Sequence, residues 1–313
     1  MGSWCGRSGR GGPFPLPCDL SGTGGTGGCG AGPTRTSPGP MRLLALLGDP
    51  VAHSLSPAIQ NAAFRKTGVE GIYLPLRTGK GDLPGLLRGI ARAGGGGNVT
   101  LPHKESAAAL VEQPLPAVVR TGACNTFWLA DGRVHGDNTD VEGFRRALRR
   151  LLGRDAAGAR VLLLGAGGAA RAVVHSLVED GVEGIWIRNR SRERAVELAE
   201  TLGGGRARIM EASPTTLSEM DAVVNATRLG LEADDPLPLL PDEFPPGEPA
   251  CLDLVYAPAE TPWVRTMRDI GLPAEDGGEM LVQQGAAAYE RWWDGPAPIE
   301  VMRDALTKVR TTG

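Results

Sequence analysis

Residues 94–110 of the chain, GGGGNVTLPHKESAAAL, place one lysine between a run of glycines and an apolar helix. Folding does not require polar side chains there, so Asn98, Thr100 and Lys104 are candidates for chemistry. A lysine ammonium can stabilise a developing negative charge and donate a proton to it. The alternative for a lone lysine at a helix start is a solvated surface charge. The polar neighbours favour a functional lysine.

A second signature is VLLLGAGGAARAV, in which Gly165, Gly167 and Ala170 have the spacing G-x-G-x-x-A. Such a turn lets backbone approach a pyrophosphate, and the helix that follows offers free N–H groups. The string alone is a weak signal, because glycine turns often serve packing only. An apolar strand before it, a helix after it and a second strand closing a βαβ unit favour dinucleotide binding.

The end of that second strand indicates which dinucleotide. A site for NAD normally has Asp or Glu there to bind the ribose hydroxyls. In its place stand Asn189, Arg190, Ser191, Arg192, Glu193 and Arg194. Arginines in a first helical turn oppose the helix dipole, so they form either a solvated charged face or a site for a 2′-phosphate. Their crowding at the position of the missing acid favours NADP over NAD.

The elements that must position these residues alternate between short apolar strands and helical segments from Met41 onward. This alternation predicts an α/β fold with mostly parallel sheets. A hairpin is predicted to turn at Asp131-Gly132. The helix SPAIQNAAFRKTG is predicted to have Ser56 as its N-cap and Gly68 as its C-terminal stop. Two amphipathic helices end the chain, and we expect two α/β domains that face each other across a cleft.

Composition excludes several classes of protein. The 313 residues are 41% hydrophobic and 22% charged, as in ordinary globular proteins, and the net charge of −3 suggests neither a nucleic-acid nor a membrane partner. No apolar run approaches the roughly 18 residues of a membrane-spanning helix. The five cysteines (Cys5, Cys18, Cys29, Cys124 and Cys251) lack metal-ligand spacing. No metal site is therefore predicted, and a reducing cytoplasm is the expected compartment.

Residues 1–40 have a different composition, dominated by Gly, Pro, Ser and Thr. Such a segment cannot bury enough apolar surface to offset its ordering entropy, so we predict disorder. It lacks the apolar region of a signal peptide. Strand-like sequence begins directly after Met41, which makes Met41 the expected natural start.

Seven strings occur in order along the rest of the chain: GDPVAHSLSPAIQNAAF, GNVTLPHKE, GACNTF, GDNTDVEGF, GAGGAARAV, NATRLGL and GGEMLVQQGA. Together they resemble the shikimate dehydrogenase family, over nearly all of residues 41–313. The resemblance implies NADP-dependent, reversible reduction of 3-dehydroshikimate to shikimate, a step of chorismate and aromatic amino acid biosynthesis. It also implies a substrate-binding catalytic domain over residues 41–140, completed by residues 277–313, and a Rossmann-type NADP-binding domain over residues 141–276. The C-terminal helices would pack back on the substrate domain.

The same resemblance assigns roles to residues. Lys104 and Asp140 match the catalytic pair, and which of them carries the transferred proton stays open because a close pair titrates together. The matched substrate-binding residues are Ser54, Ser56, Thr100, Asn125, Asp140, Tyr256 and Gln284. The matched cofactor-binding residues are Gly165, Ala166, Gly167, Gly168, Ala169, Asn189, Arg190, Ser191, Arg194, Thr227, Leu254 and Gly277. Alternatives are that Ser56 only caps a helix, that Asn125 is a turn residue and that Tyr256 only packs.

Some positions depart from the family pattern. His103 stands where an aromatic residue is common, and Gln60 replaces a frequent histidine. Glu279 replaces a small residue close to where Gly277 should approach the nicotinamide, which puts the geometry of that pocket in doubt. Arg228 is an unusual cation that would add to the field at the cofactor phosphates.

Other functions remain open at this point. The nearest is the same chemistry on quinate, or on both substrates. A ligand sensor that keeps the fold would not need Lys104 and Asp140, and a folate-type dehydrogenase would not explain the Ser-x-Ser pair. The expected partner is the small-molecule substrate, with no nucleic acid and no membrane, for a monomer or homodimer.

We predict that deleting residues 1–40 leaves both turnover and thermal stability unchanged, because the segment has too little apolar surface to join a core. Parallel assays and melting curves of the full-length and shortened proteins measure this. A clear loss of either property would contradict the interpretation of the segment as a tail.

Overall fold

The computed structural model describes residues 41–210, 214–232, 234–244, 249–257 and 259–312, which form two six-stranded sheets with helices around them. The α/β class predicted from the sequence is confirmed. The predicted disorder of residues 1–40 lies outside the described residues. Within the described ranges, no helix has both the length and the apolar character needed to cross a membrane.

The first sheet contains β1 (Arg42–Gly48), β2 (Gly71–Arg77), β3 (Gly96–Val99), β4 (Gln113–Pro114), β5 (Thr126–Ala130) and β6 (Arg133–Asp137). Their order is β2-β1-β3-β5-β6-β4. The sheet is mixed, since β5 pairs antiparallel with both β3 and β6. Positive φ angles of 50° at Asp131 and 72° at Gly132 confirm the predicted hairpin turn.

The helices of this half are α1 (Ser56–Thr67), α2 (Leu83–Arg92), α3 (Lys104–Ala108), α4 (Pro116–Thr121) and α5 (Thr139–Leu152). Gly68 ends α1 with a left-handed φ of 72°, as predicted. The prediction that Ser56 is the N-cap is wrong. Leu55 already has helical angles and holds that position, so Ser56 lies inside the first turn. Its backbone N–H donates to Ser54 Oγ at 3.3 Å instead.

The second sheet is fully parallel, with the order β12-β11-β10-β7-β8-β9 of a dinucleotide-binding fold. Its strands are β7 (Arg160–Leu164), β8 (Gly184–Arg188), β9 (Ala207–Ile209), β10 (Ala222–Asn225), β11 (Ala250–Asp253) and β12 (Ala274–Glu275). Its helices are α6 (Gly168–Glu179), α7 (Arg192–Leu202) and α8 (Pro262–Asp269).

The last two helices, α9 (Gly278–Trp293) and α10 (Ile299–Thr312), return to the first sheet. Val282, Trp292 and Met302 from these helices share a buried core with Leu44 and Tyr73 of the first sheet. The last part of the chain therefore completes the core begun by its first strands.

A buried carboxylate joins the strand ends of the second sheet. Asp253, at the end of β11, is fully buried. Its Oδ1 accepts from Asn225 Nδ2 at 2.8 Å and from the backbone N–H of Val255 at 3.0 Å. Its Oδ2 accepts from Thr261 Oγ1 at 2.8 Å. Burial raises the pKa of Asp253 to about 6, and these hydrogen bonds oppose the rise only in part.

The raised pKa predicts a pH-dependent difference in stability between the wild type and Asp253→Asn. From about pH 4 to pH 6 the folded state binds this proton and the unfolded state does not, so the free energy of unfolding falls as pH rises. The amide of the variant keeps the acceptor oxygen and does not titrate. In denaturant titrations, the free energy of unfolding of the variant minus that of the wild type should rise by about 1–3 kcal/mol between pH 4 and pH 7. A constant difference would show that Asp253 does not titrate in this range.

Candidate active site

Lys104 and Asp140 meet, although 36 residues separate them in the chain. Lys104 is the first residue of α3, and its backbone carbonyl accepts from the N–H of Cys124 at 2.9 Å. Asp140 lies in the first turn of α5. Lys104 Nζ donates to Asp140 Oδ2 at 2.7 Å, with the two side chains 28% and 13% exposed. The pair is therefore largely buried but still partly accessible.

Asn125 engages the other oxygen of the carboxylate. Its Nδ2 donates to Asp140 Oδ1 at 2.9 Å. Its Oδ1 accepts from the Thr139 backbone N–H at 2.7 Å and from Thr126 Oγ1 at 2.9 Å. Both ends of this amide are thus fixed.

Tyr256 lies close enough to the pair to respond to its charges. Burial raises the pKa of the Tyr256 hydroxyl, the Lys104 ammonium lowers it and the Asp140 carboxylate raises it. Thr100 is fixed through its backbone, since its N–H donates to the carbonyl of Leu47 at 2.9 Å. Both side chains are partly buried.

The remaining predicted substrate residues come from α1 and α9. Ser54 is partly buried and Ser56 is buried at the start of α1. Gln284 lies where α9 crosses α5, because a Cβ added to Gly143 would lie 2.5 Å from Gln284 Cβ. Gly143 is one helical turn beyond Asp140, so this close crossing brings Gln284 to the same face of α5 as the carboxylate.

Two departures from the family pattern have clear places in the structure. His103 is buried, and its Nε2 donates to the Thr78 carbonyl at 2.7 Å, so it anchors the start of α3. Glu279 accepts from Arg303 NH2 at 2.8 Å and from Arg303 Nε at 2.9 Å. Burial raises the pKa of Glu279, but the hydrogen bonds from Arg303 and Gln283 and the nearby guanidinium charges outweigh burial, so the net shift is downward. Glu279 therefore forms an ion pair with α10.

The glycine turn after β7 has the geometry that a phosphate site needs. Gly165 has a φ of 107°, and an added Cβ would lie 2.9 Å from the carbonyl oxygen of Ala226. Only glycine suits this position. Gly167 and Gly168 are exposed and have open space around them, at the start of α6. Ala166 and Ala169 complete this accessible turn, where the first N–H groups of the helix lie.

The arginines after β8 are exposed, and Ser191 starts the helix they belong to. Ser191 Oγ accepts from the Arg194 N–H at 3.4 Å as the N-cap of α7, and Asn189 Nδ2 donates to the Ser191 carbonyl at 2.8 Å. Among the described contacts, the guanidinium groups of Arg190 and Arg194 have no hydrogen bond or ion pair. They remain available to an anion beside the glycine turn.

The other predicted cofactor residues follow β10 and β11. Thr227 donates from its N–H and its hydroxyl to Asn225 Oδ1, at 3.0 and 2.7 Å. Leu254 and Gly277 are in contact, because a Cβ added to Gly277 would lie 2.4 Å from the Leu254 carbonyl oxygen. Arg228 is exposed directly after Thr227.

The sequence analysis did not identify four residues that support the site through hydrogen bonds: Tyr73, Thr126, Thr139 and Asp253. Polar side chains inside apolar strands, as in GIYLPL and ACLDLVY, are the signal that could have found two of them. Among the described residues, no group of three or more His, Cys, Asp or Glu side chains could hold a metal ion.

Comparison with known proteins matches three consecutive parts of the chain to one family. Residues 46–127 match the shikimate dehydrogenase substrate binding domain, and residues 147–230 match shikimate / quinate 5-dehydrogenase. Residues 277–307 match the shikimate 5′-dehydrogenase C-terminal domain.

Similar proteins include the shikimate dehydrogenase (NADP(+)) of Symbiobacterium thermophilum, 41% identical over 86% of this chain and 95% of that protein. The enzyme of the same name from one strain of Thermus thermophilus is 43% identical over 82% and 94%. The crystal structure of the enzyme from another Thermus thermophilus strain, with NADP(H) and shikimate, has a TM-score of 0.78 at 40% identity, covering 86% of this chain and 100% of that one. Quinate dehydrogenase from Corynebacterium glutamicum with NAD has a TM-score of 0.78 at 27% identity, covering 86% and 99%.

Proposed function

Because the chain belongs to the shikimate dehydrogenase family, we propose that it is an NADP-dependent oxidoreductase that interconverts 3-dehydroshikimate and shikimate. The observation that carries the proposal is the contact of Lys104 with Asp140 at 2.7 Å, beside Asn125 and Tyr256. In that role the protein serves chorismate and aromatic amino acid biosynthesis.

The proton is handled by Lys104 and Asp140. Bound reduced nicotinamide supplies the hydride to the carbonyl carbon. The Lys104 ammonium stabilises the negative charge that develops on the carbonyl oxygen and donates the proton that converts it to a hydroxyl. Asp140 holds Nζ in position through Oδ2, while Asn125 keeps Oδ1 engaged.

Substrate recognition is assigned to groups around this pair. Ser54 and Ser56, at the start of α1, bind the substrate carboxylate. Thr100, Asn125, Asp140 and Gln284 bind the hydroxyls and the ring, and Tyr256 contacts the substrate. The close crossing of α5 and α9 at Gly143 supports a place for Gln284 in this set.

The residues of the second sheet fit NADP. The open space at Gly167 and Gly168 admits a pyrophosphate to the start of α6. Arg190 and Arg194 are exposed cations suited to the 2′-phosphate, with Asn189 and Ser191 fixing the turn between them. Gly165, Ala166, Ala169, Thr227, Leu254 and Gly277 form the rest of the proposed cofactor wall.

The two sheets support a division of the chain by function. Residues 41–140 with 277–313 form the proposed substrate unit, and residues 141–276 form the proposed nucleotide unit. The shared core of α9, α10 and the first sheet supports this assignment. Cys124 and Cys251 are free, buried thiols, which suits a reducing cytoplasm. The protein would act there as a monomer or homodimer, without a nucleic-acid or membrane partner.

Replacement of Lys104 by alanine tests the proposed proton donor. Lys104→Ala should lower kcat by roughly two to four decades while shikimate still binds, because the lost group acts on the transition state. Steady-state kinetics and calorimetric titration with shikimate measure the two effects. Lys80→Ala, at an exposed lysine, is the matched control and should behave as the wild type. Retained turnover with lost affinity would instead make Lys104 a binding residue.

A four-way assay tests substrate and cofactor together. Shikimate and quinate, each with NADP and with NAD, are followed by the absorbance of the reduced nicotinamide. We expect the largest kcat/KM with shikimate and NADP, because exposed arginines occupy the place of the acid that an NAD site needs. Activity on quinate with NAD alone would overturn both assignments.

A further inference from the structure

A fully buried tyrosine of β2 lies at one end of a chain of hydrogen bonds that reaches Asp140. The Tyr73 hydroxyl donates to Asn98 Oδ1 at 2.8 Å, and Asn98 Nδ2 donates to Thr126 Oγ1 at 2.9 Å. Thr126 Oγ1 donates to Asn125 Oδ1 at 2.9 Å, and Asn125 Nδ2 donates to Asp140 Oδ1 at 2.9 Å. A residue on the edge strand of the first sheet is thus connected to the carboxylate beside Lys104.

The orientation of the two amides, Asn98 and Asn125, is fixed by the chemistry of the groups they contact. A carboxylate only accepts, so Asn125 presents its NH₂ to Asp140 and its oxygen to the Thr139 N–H, which only donates. Asn98 Nδ2 also donates to the backbone carbonyl of Asn125 at 3.1 Å. The Oδ1 of Asn98 is therefore left to accept from Tyr73. Burial raises the pKa of Tyr73, so its hydroxyl keeps its proton. Every amide in the chain therefore has a single satisfactory orientation.

We propose that Tyr73 is a positioning residue for the reaction, which orients the Asp140 carboxylate toward Lys104 through Asn98, Thr126 and Asn125. The proposal rests on the proposed function for its kinetic consequence. Without the hydroxyl, Asn98 Oδ1 is left without a donor in a buried site. The Asn98 amide is then held only through its Nδ2, so the positions of Thr126 Oγ1 and, through it, of the Asn125 amide are less firmly fixed. The Asp140 carboxylate is less firmly oriented as a result, and its hold on Lys104 Nζ weakens.

Tyr289 provides a matched control for this test. It is 3% exposed and packs in the same core as Tyr73. Its hydroxyl also donates to one side chain, Thr67 Oγ1, at 2.9 Å. Tyr73→Phe and Tyr289→Phe therefore remove the same group from the same core, and both should lower the melting temperature by similar amounts. Only the first interrupts the chain to Asp140.

The first measurement is steady-state kinetics with shikimate and NADP. Tyr73→Phe should lower kcat by about three- to tenfold, the value of one net hydrogen bond, with the KM for NADP within about twofold of the wild type. Tyr289→Phe should keep kcat within about twofold. Thr126→Val, which also breaks the chain, should follow Tyr73→Phe, and Thr126→Ser, which keeps the hydroxyl, should recover most of the loss.

The second measurement does not depend on turnover. Acetic anhydride labels lysine amines, and peptide mass spectrometry reads the rate at Lys104 against the exposed Lys66 and Lys80 in the same sample. Tyr73→Phe should label about threefold faster at Lys104 only, because a loosened carboxylate holds the amine less firmly. Equal labelling and equal kcat in the two tyrosine variants would overturn the positioning role. A labelling difference in a protein that does not oxidise shikimate would reject the proposed function and keep the role of Tyr73.

Discussion

The contact between the Lys104 ammonium and the Asp140 carboxylate is the constraint on which the polar interior of the first sheet depends. Asp140 is only 13% exposed, and removing a carboxylate from water is costly unless its oxygens are bonded. Lys104 occupies one oxygen and Asn125 the other, at 2.7 and 2.9 Å. The first turn of α5 adds the positive end of its dipole. An ionised pair is thus stable here, although it would be unfavourable in an ordinary apolar core.

In the half built on the second sheet, by contrast, the guanidinium groups of Arg190 and Arg194 have no hydrogen bond or ion pair among the described contacts. Around the glycine turn, the chain provides backbone N–H groups and exposed guanidinium groups, while the loops that carry them are fixed internally. Asn225 and the buried Asp253 hold the loop that contains Thr227, and Ser191 caps the helix that begins with the arginines. Fixing the backbone in advance would lower the entropy lost on binding, and the unpaired guanidinium groups of Arg190 and Arg194 would keep their attraction for a phosphate. The two halves therefore use their polar groups differently: the first compensates a carboxylate with an ammonium, and the second leaves two guanidinium groups exposed beside a glycine turn.

The sequence was sufficient for the features that depend on local patterns. The apolar runs predicted the main strands, Asp131-Gly132 predicted the hairpin, and the glycine spacing predicted the turn between β7 and α6. The wrong prediction of Ser56 as the N-cap shows the limit of this reasoning. The prediction relied on the residue type, whereas the start of the helix is set by the backbone angles. Leu55 already has helical backbone angles, and no local sequence pattern predicts this.

Contacts between distant segments could not be read from the sequence by physical reasoning alone. The resemblance to a family assigned Lys104 and Asp140 to one pair, but spacing gave no reason for two residues 36 positions apart to meet. The same holds for Tyr73, whose partner Asn98 lies 25 residues away on another strand. Both depend on strand order, which places β3 between β1 and β5. Local periodicity predicts that strands exist, whereas their order is decided by packing of the whole unit.

An ion pair with Arg303 binds Glu279 to the last helix of the chain. A carboxylate two residues after Gly277 would be expected to alter the surroundings of that glycine. Instead, two hydrogen bonds from Arg303 bind the Glu279 carboxylate to α10. Arg310, seven residues further along α10, donates to Asp276, whose Oδ1 also accepts from the Gly278 N–H at 2.8 Å. Residues seven apart share one face of a helix, so α10 holds both sides of Gly277 at once. The last helix of the chain therefore stabilises the start of α9, next to the close contact of Gly277 with Leu254.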